Sequence, residues 1–194
     1  MSGGGRICEA ELLRSAILEC TKCPRLVASR SRPVPGQGTN PAKIAFVGLA
    51  PGRLGADRSG IPFTGDRSGN LLREMISETG LDRVFVTNLV RCNPRDEQGR
   101  NRDPDTSEIA NCRNFLVAEL NQVSAAIVVC LGRLAWRELA GRDEPFDPAR
   151  AKPVGRRGKL IYPMFHPAYV NRGAYSRIKY ARDFTRLRQF ISRL

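Results

Sequence analysis

Apolar residues in this chain form two kinds of pattern, and the two alternate. Short unbroken runs at residues 43–47 (KIAFV), 83–89 (RVFVTNL), 125–131 (AAIVVCL) and 159–165 (KLIYPMF) read as strands. The third run is apolar throughout, as a strand buried on both faces requires. Pro163 in the fourth predicts an edge or irregular strand, because proline cannot donate to a ladder. Between the runs, apolar residues recur at helical spacing. Ile7, Ala10, Leu13 and Ile17 predict a helix over 7–20, which Pro24 in CTKCP keeps from continuing. Leu71, Leu72, Met75 and Ile76 share one face of a helix over 67–80, with Gly80 at its C-terminal cap. A third helix over 106–123, capped by Asp105 or Thr106, turns Ile109, Phe115, Leu116 and Leu120 inward. Gly132 opens a helix over 133–140, and a basic helix over about 175–194 closes the chain. Residues 29–41, 93–105 and 141–158 lack periodicity and read as loops.

Strands alternating with helices imply an α/β fold, a parallel sheet between two helical layers. No repeat or linker divides residues 1–194, which read as one domain. Sheets of this kind bind ligands beyond the carboxyl ends of their strands. The loop at 48–66, Asn88, Gly132 and His166 all fall at that edge.

The 48–66 loop, GLAPGRLGADRSGIPFTGD, holds five glycines and two prolines. Long connections without their own secondary structure tend to be functional, and glycine lets a ligand approach the backbone closely. Phe63 stands among its polar residues either as a core residue pinning the loop or as a stacking face. Asn88, at the end of an apolar strand, either satisfies loop backbone or offers the paired donor and acceptor that reading a nucleobase edge needs. His166 is the only histidine. Followed by Pro167 just beyond a strand, it can donate a hydrogen bond where negative charge develops.

Composition adds a partner. With 194 residues and 41% hydrophobic content, the chain can bury a full core, and its longest apolar run is far below membrane-spanning length. The formal net charge of +13 points to nucleic acid. Residues 151–194 carry eleven Lys and Arg against Asp183 alone, and the arginine fork suits phosphate. The N-terminal MSGGGRICEAELLRS has no signal-peptide pattern, so a cytoplasmic protein is expected. In that compartment Cys20 and Cys23 (a CxxC), Cys92 and Cys112 read as ligands to zinc or to an iron–sulfur cluster rather than as disulfides. Cys130 reads as inert core, and Cys8 lies apart from the quartet.

Taken together, GLAPGRLGADRSGIPFTGD, TNLVRCNP and FHPAYVNR, with CTKCP and the later Cys112, resemble the iron–sulfur uracil-DNA glycosylases. The resemblance covers nearly the whole chain in order. GLAPG through TGD looks like family five of that superfamily, whereas HPAYV and Asn88 look like family four, whose opening motif has an acidic residue where Leu49 stands. The resemblance implies a three-layer αβα sandwich on a central four-stranded parallel sheet, and a [4Fe–4S] cluster on Cys20, Cys23, Cys92 and Cys112. It implies an enzyme that acts on DNA and hydrolyses the N-glycosidic bond of a flipped deoxyuridine, leaving an abasic site; a monomer suits an enzyme that scans DNA. Phe63 would stack on uracil, Asn88 would read its edge, and backbone amides from Gly48, Leu49, Ala50, Pro51 and Gly52 would meet its carbonyl oxygens. His166 would stabilise the departing base. Asp66 would orient water or stabilise a sugar cation, with Asp57 in reserve, although Asp66 also sits where a helix N-cap belongs. A residue between 169 and 175 would fill the hole left in the duplex, and arginines of the tail would hold phosphates. Two alternatives stand beside this reading: a non-catalytic nucleic-acid binder and a zinc-bound α/β hydrolase.

Overall fold

The computed structural model describes residues 8–194; Ile7, placed above in the first helix, lies outside them. Six strands form one sheet in the order β1-β3-β2-β4-β6-β5. They are β1 (Gln37–Gly38), β2 (Ile44–Gly48), β3 (Val84–Asn88), β4 (Ile127–Leu131), β5 (Val154–Arg156) and β6 (Lys159–Met164). The four inner strands run parallel, as expected, and β1 and β5 pair antiparallel at the two edges. The sheet is therefore mixed and wider than the four-stranded parallel sheet the resemblance implies.

Both edge strands fall in segments read above as loops, and both are too short to show a period. At β1, Gly38 has φ +145°, and a Cβ there would lie 2.2 Å from the Val84 carbonyl oxygen. β5 joins β6 through Arg157 and Gly158, both at positive φ (49° and 74°). That is a hairpin turn made without the usual Asn-Gly signal. β6 is the penultimate strand, but at Pro163 its far side is unpaired, so the proline sits at a local edge as expected. It is tolerated because β5 covers β6 only at residues 159–161, while Pro163 faces Cys130 of β4.

Eight helices complete the described chain: α1 (Glu9–Leu18), α2 (Pro24–Ser29), α3 (Ala56–Ser59), α4 (Arg67–Glu78), α5 (Thr106–Gln122), α6 (Arg133–Leu139), α7 (Pro167–Asn171) and α8 (Arg177–Ile191). Pro24, which stops α1 from continuing, is itself the first residue of α2, where its missing N–H costs nothing. Pro167 opens α7 in the same way.

Alternation along the strands divides the core between the two faces. Ala45, Val47, Val128, Cys130 and Ile161 pack with Leu26, Leu116, Leu120 and Trp136 on one side. Ile44, Phe46, Val129 and Tyr162 pack with Leu71, Leu72, Met75, Phe184 and Leu187 on the other. Phe115, expected to face inward, is only half-buried and lies beneath the Lys22 ammonium, 5.3 Å from its ring centroid. Asp105 caps α5 by accepting the Glu108 N–H at 2.8 Å, and Gly80 follows α4 at φ 61°. Among the described residues, no helix is long and apolar enough to cross a membrane.

Candidate base pocket at the carboxyl edge of the sheet

Gly48 and Asn88 are direct partners in the β2–β3 register, so the first residue of the pocket loop and the last residue of β3 lie side by side. A Cβ on Gly48 would lie 2.5 Å from Asn88 Oδ1 and 2.6 Å from Phe63 Cζ. The amide and the aromatic ring therefore converge over a bare backbone. Phe63 reaches that place at φ 51°, a conformation costly for a bulky residue. The Arg73 guanidinium holds it there, donating to the Phe63 carbonyl at 2.8 Å and to the Pro62 carbonyl at 2.9 Å. Gly69 is needed beneath it, since a Cβ would come within 2.4 Å of the Phe63 carbonyl group. The His166 ring lies beside it, tilted by 40° with centroids 5.7 Å apart.

Asn88 is buried, at 1% exposure, and neither its side-chain oxygen nor its nitrogen has a hydrogen-bond partner. Buried amides are nearly always paired, because an unpaired polar group carries its full desolvation cost. An amide held open in this way leaves a donor and an acceptor side by side, free to pair with a complementary edge. Gly48→Ala should press a methyl group against the Asn88 amide and the Phe63 ring, so uracil binding and release should both fall and the unfolding midpoint should drop with them. Titration of the variant with a uracil oligonucleotide checks this.

The loop's backbone is fastened to the segment after β3. The Gly48 carbonyl accepts the Leu89 N–H at 2.9 Å, the Leu49 carbonyl accepts Val90 N–H at 3.0 Å, and the Pro51 carbonyl accepts Asn93 Nδ2 at 2.6 Å. Asn101 Oδ1 accepts the Arg53 N–H at 3.1 Å. Leu49 and Ala50 turn their side chains onto the α5–α6 core, and Gly52 lies near Asp66 Oδ2. Pro51 has no N–H, so of the expected stretch Gly48, Leu49, Ala50 and Gly52 carry backbone donors and Pro51 does not.

His166 caps α7, its Nδ1 accepting the Ala168 N–H at 3.1 Å. That bond fixes the proton of the neutral ring on Nε2. Burial pushes the pKa down to about 4; the nearby Asp66 charge opposes the shift and Arg172 reinforces it. Asp66 does cap α4, Oδ1 accepting the Gly69 N–H at 2.8 Å. Its Oδ2 faces Gly52 and Gly55 and has no hydrogen-bond partner among the described residues. Asp57, the reserve candidate for water, is wholly buried and fully engaged by Ser31 and Arg95.

The four cysteines lie near one another. Cys92 feels the charges of Cys20 and Cys112, and Cys112 those of Cys20 and Cys23. Burial pushes the Cys92 thiol up to about 11 and raises Cys112. N–H donors are aimed at three of the sulfurs: Arg30 Nη1 at Cys92 (3.0 Å), Asn111 Nδ2 at Cys23 (3.4 Å) and the Arg91 backbone at Cys112. Among the described residues, no group of three His, Cys, Asp or Glu side chains is spaced to hold a metal ion. Four thiols, three of them with N–H donors on their sulfurs, nonetheless match the donor chemistry of an iron–sulfur cluster.

Not every expected residue gathers at the pocket. Arg172 is close to His166, but Arg188 lies beside Gly80 at the opposite edge, so the basic tail runs the height of the sheet. Arg177 and Arg186 are paired with Glu74 and Asp183. Tyr169 is 39% exposed and stacks on Phe165 at 5.2 Å, beside His166. The residues that sequence reading did not single out are Arg73, Asn93 and Arg95. Each acts on backbone or side chains distant in sequence and leaves no local signal.

Residues 35–190 match the Uracil DNA glycosylase superfamily. The chain is 32% identical over 189 residues to the type-4 uracil-DNA glycosylase of Thermotoga maritima, covering 94% of this chain and 95% of that protein. It is 37% identical over 181 residues to the type-4 uracil-DNA glycosylase of Archaeoglobus fulgidus, covering 88% and 87%. A type-5 uracil-DNA glycosylase of Pyrobaculum aerophilum is 32% identical over 189 residues, covering 80% of each chain. Similarity to both types parallels the mixed motifs in the sequence. With that coverage and a pocket formed where the motifs meet, the chain belongs to the uracil DNA glycosylase superfamily.

Proposed function

We propose that this chain is a DNA repair glycosylase that excises uracil from DNA by hydrolysing the N-glycosidic bond of a flipped nucleotide. The observation that carries the proposal is the buried, unpartnered amide of Asn88, set against the Phe63 ring over Gly48. Flipping a base costs a few kcal/mol of stacking and pairing, which the pocket must recover. The Phe63 face supplies stacking. Asn88 Oδ1 accepts the uracil N3–H and Nδ2 donates to O4. Neutral His166 donates from Nε2 to O2, where negative charge gathers as the C1′–N1 bond breaks. Asp66 Oδ2 orients the water that adds to C1′ and stabilises the positive sugar. The water oxygen ends on C1′, its proton passes to Asp66 or solvent, and uracil leaves as the anion to be protonated by solvent. Tyr169, exposed beside His166, suits the hole in the duplex, and a monomer suits an enzyme that scans DNA. Cysteines used as cluster ligands and core rather than as disulfides suit a reducing compartment such as the cytoplasm.

Cys20, Cys23, Cys92 and Cys112 would hold a [4Fe–4S] cluster whose contribution is to cross-link their segments beside the pocket. Cys92→Ser should lose iron and brown colour and unfold at lower temperature; full iron content in this variant would refute the ligand assignment.

An oligonucleotide panel bearing uracil, hypoxanthine, xanthine or a thymine mismatch tests the activity. Abasic product from the uracil strand is expected. No base release from any strand, with DNA binding intact, would favour the non-catalytic binder. The glycosylase names of its relatives favour the enzyme over that reading and over a zinc hydrolase.

A further inference from the structure

We infer that Asp57 is a positioning residue that fastens the base-pocket loop to the cysteine-bearing segments. This rests on the pocket and cluster readings above. Asp57 lies on α3, midway along the loop, with 0% exposure. Its carboxylate accepts four contacts from three donors. The Ser31 N–H reaches Oδ1 at 3.0 Å and Oδ2 at 3.1 Å, Ser31 Oγ reaches Oδ2 at 2.7 Å, and Arg95 Nη2 reaches Oδ2 at 2.6 Å.

Both partners lead to the cysteines. Ser31 follows Arg30, whose guanidinium bonds Cys92 Sγ at 3.0 Å and the Cys20 carbonyl at 2.8 Å. Arg95 donates to Asn93 Oδ1 at 2.8 Å; Asn93 is next to Cys92 and holds the Pro51 carbonyl at 2.6 Å. The loop is thus pinned at residues 51 and 57, and the Asp57 N–H to Gly52 carbonyl bond (3.1 Å) ties the two pins together. Beyond the second pin the chain runs directly to Phe63 and Asp66. A carboxylate is required because every partner is a donor. An asparagine would turn its own N–H groups toward Ser31 or Arg95, leaving donors opposed in a dry site. The same engagement removes Asp57 from chemistry with water.

The test compares wild type, Asp57→Asn and Ser31→Ala, the last removing one donor with little threat to folding. Amide hydrogen exchange, uracil release under single-turnover conditions, binding to uracil-free DNA and iron content are measured. Asp57→Asn should lose protection over residues 48–66 while strand β4 stays protected. Its half-saturating concentration for uracil DNA should rise more than its maximal rate falls, with a combined loss of about a hundredfold, the scale of a remote misplacement. Affinity for uracil-free DNA and iron content should be unchanged. Ser31→Ala should move the same readouts less. Wild-type protection over 48–66 in both variants would overturn the inference, as would protection lost equally from β4. A wild-type protein that releases no uracil would instead refute the glycosylase reading, and the exchange pattern would still decide the role of Asp57.

Discussion

His166→Ala is expected to slow the single-turnover release of uracil by about a hundred- to a thousandfold, the cost of removing one preorganised donor at a developing oxyanion. The geometry sets this expectation. Nδ1 is committed to the Ala168 N–H, so the ring has one proton to offer, on Nε2. With its pKa held down to about 4 by burial, the ring is neutral wherever the protein is folded and active. The rate should therefore be flat from about pH 5 to pH 9 as far as this group is concerned, with no step at the ordinary histidine value near 6.5. Stability carries the opposite signature. Because the folded pKa lies below the unfolded one, the unfolded chain binds the extra proton as pH drops from about 6.5 toward 4, and the contribution of neutral His166 is lost over that window. A rate that rises with protonation near pH 6.5 would mean that an imidazolium does the work. His166→Gln, which keeps a donor, should retain part of the activity.

Asn88→Asp should be the more severe change, with a loss on the order of ten-thousandfold, as for sites built around a specific hydrogen-bonded group. The substitution is nearly isosteric, but it exchanges the donor for a second acceptor. A buried carboxylate would face the uracil O4, and it would repel the base just as negative charge develops there. Burial would also raise the pKa of the new carboxyl, so activity should recover somewhat toward low pH as it protonates and regains a donor. Single-turnover kinetics across pH separate this from misfolding, which would not be relieved by acid. Asn88→Ala should lose less than Asn88→Asp, because it removes the contact without introducing repulsion.

Much of this site was legible in the sequence because its parts sit at the ends of runs. The apolar run through Val47 and that through Thr87 announce strands, so Gly48 and Asn88 had to lie at their carboxyl ends. The glycines of the loop announce backbone that something approaches. Asp66 could be read as a helix cap from position alone, and its Oδ1 makes that bond. Physical limits explain what stayed hidden. β1 and β5 have two and three residues, too few to show alternation, and each depends on a positive φ at or beside it. Pro24 reads as a break, yet it starts a helix of six residues, and Pro167 starts one of five, too short to show a period. The binding partners of Asp57 lie 26 and 38 residues away, so its role as a fastener cannot be seen locally and a role with water seemed open. Arg73 is one arginine among many until its guanidinium is seen to hold the Phe63 carbonyl. Phe115 fell on the apolar side of a helical pattern but covers the stem and ammonium of Lys22 instead.

The same geometry accounts for the departure at Leu49. An acidic side chain is not needed there to shape the loop, because the Leu49 carbonyl is held by Val90 and the side chain packs on the core. The groups gathered at this edge are Asn88, the Phe63 ring, His166 and the second oxygen of Asp66. In the proposed reading they would serve as a reader, a stacking surface, a donor and an acceptor for a flipped pyrimidine.

The most direct test of the central claim is to follow the side-chain amide of Asn88 by NMR in 15N-labelled protein titrated with free uracil, the product that the pocket must hold. The account predicts that both amide protons shift on saturation and gain protection from solvent, and that the Phe63 ring resonances shift with them. Unmoved Asn88 and Phe63 signals under uracil concentrations that inhibit base release would contradict it.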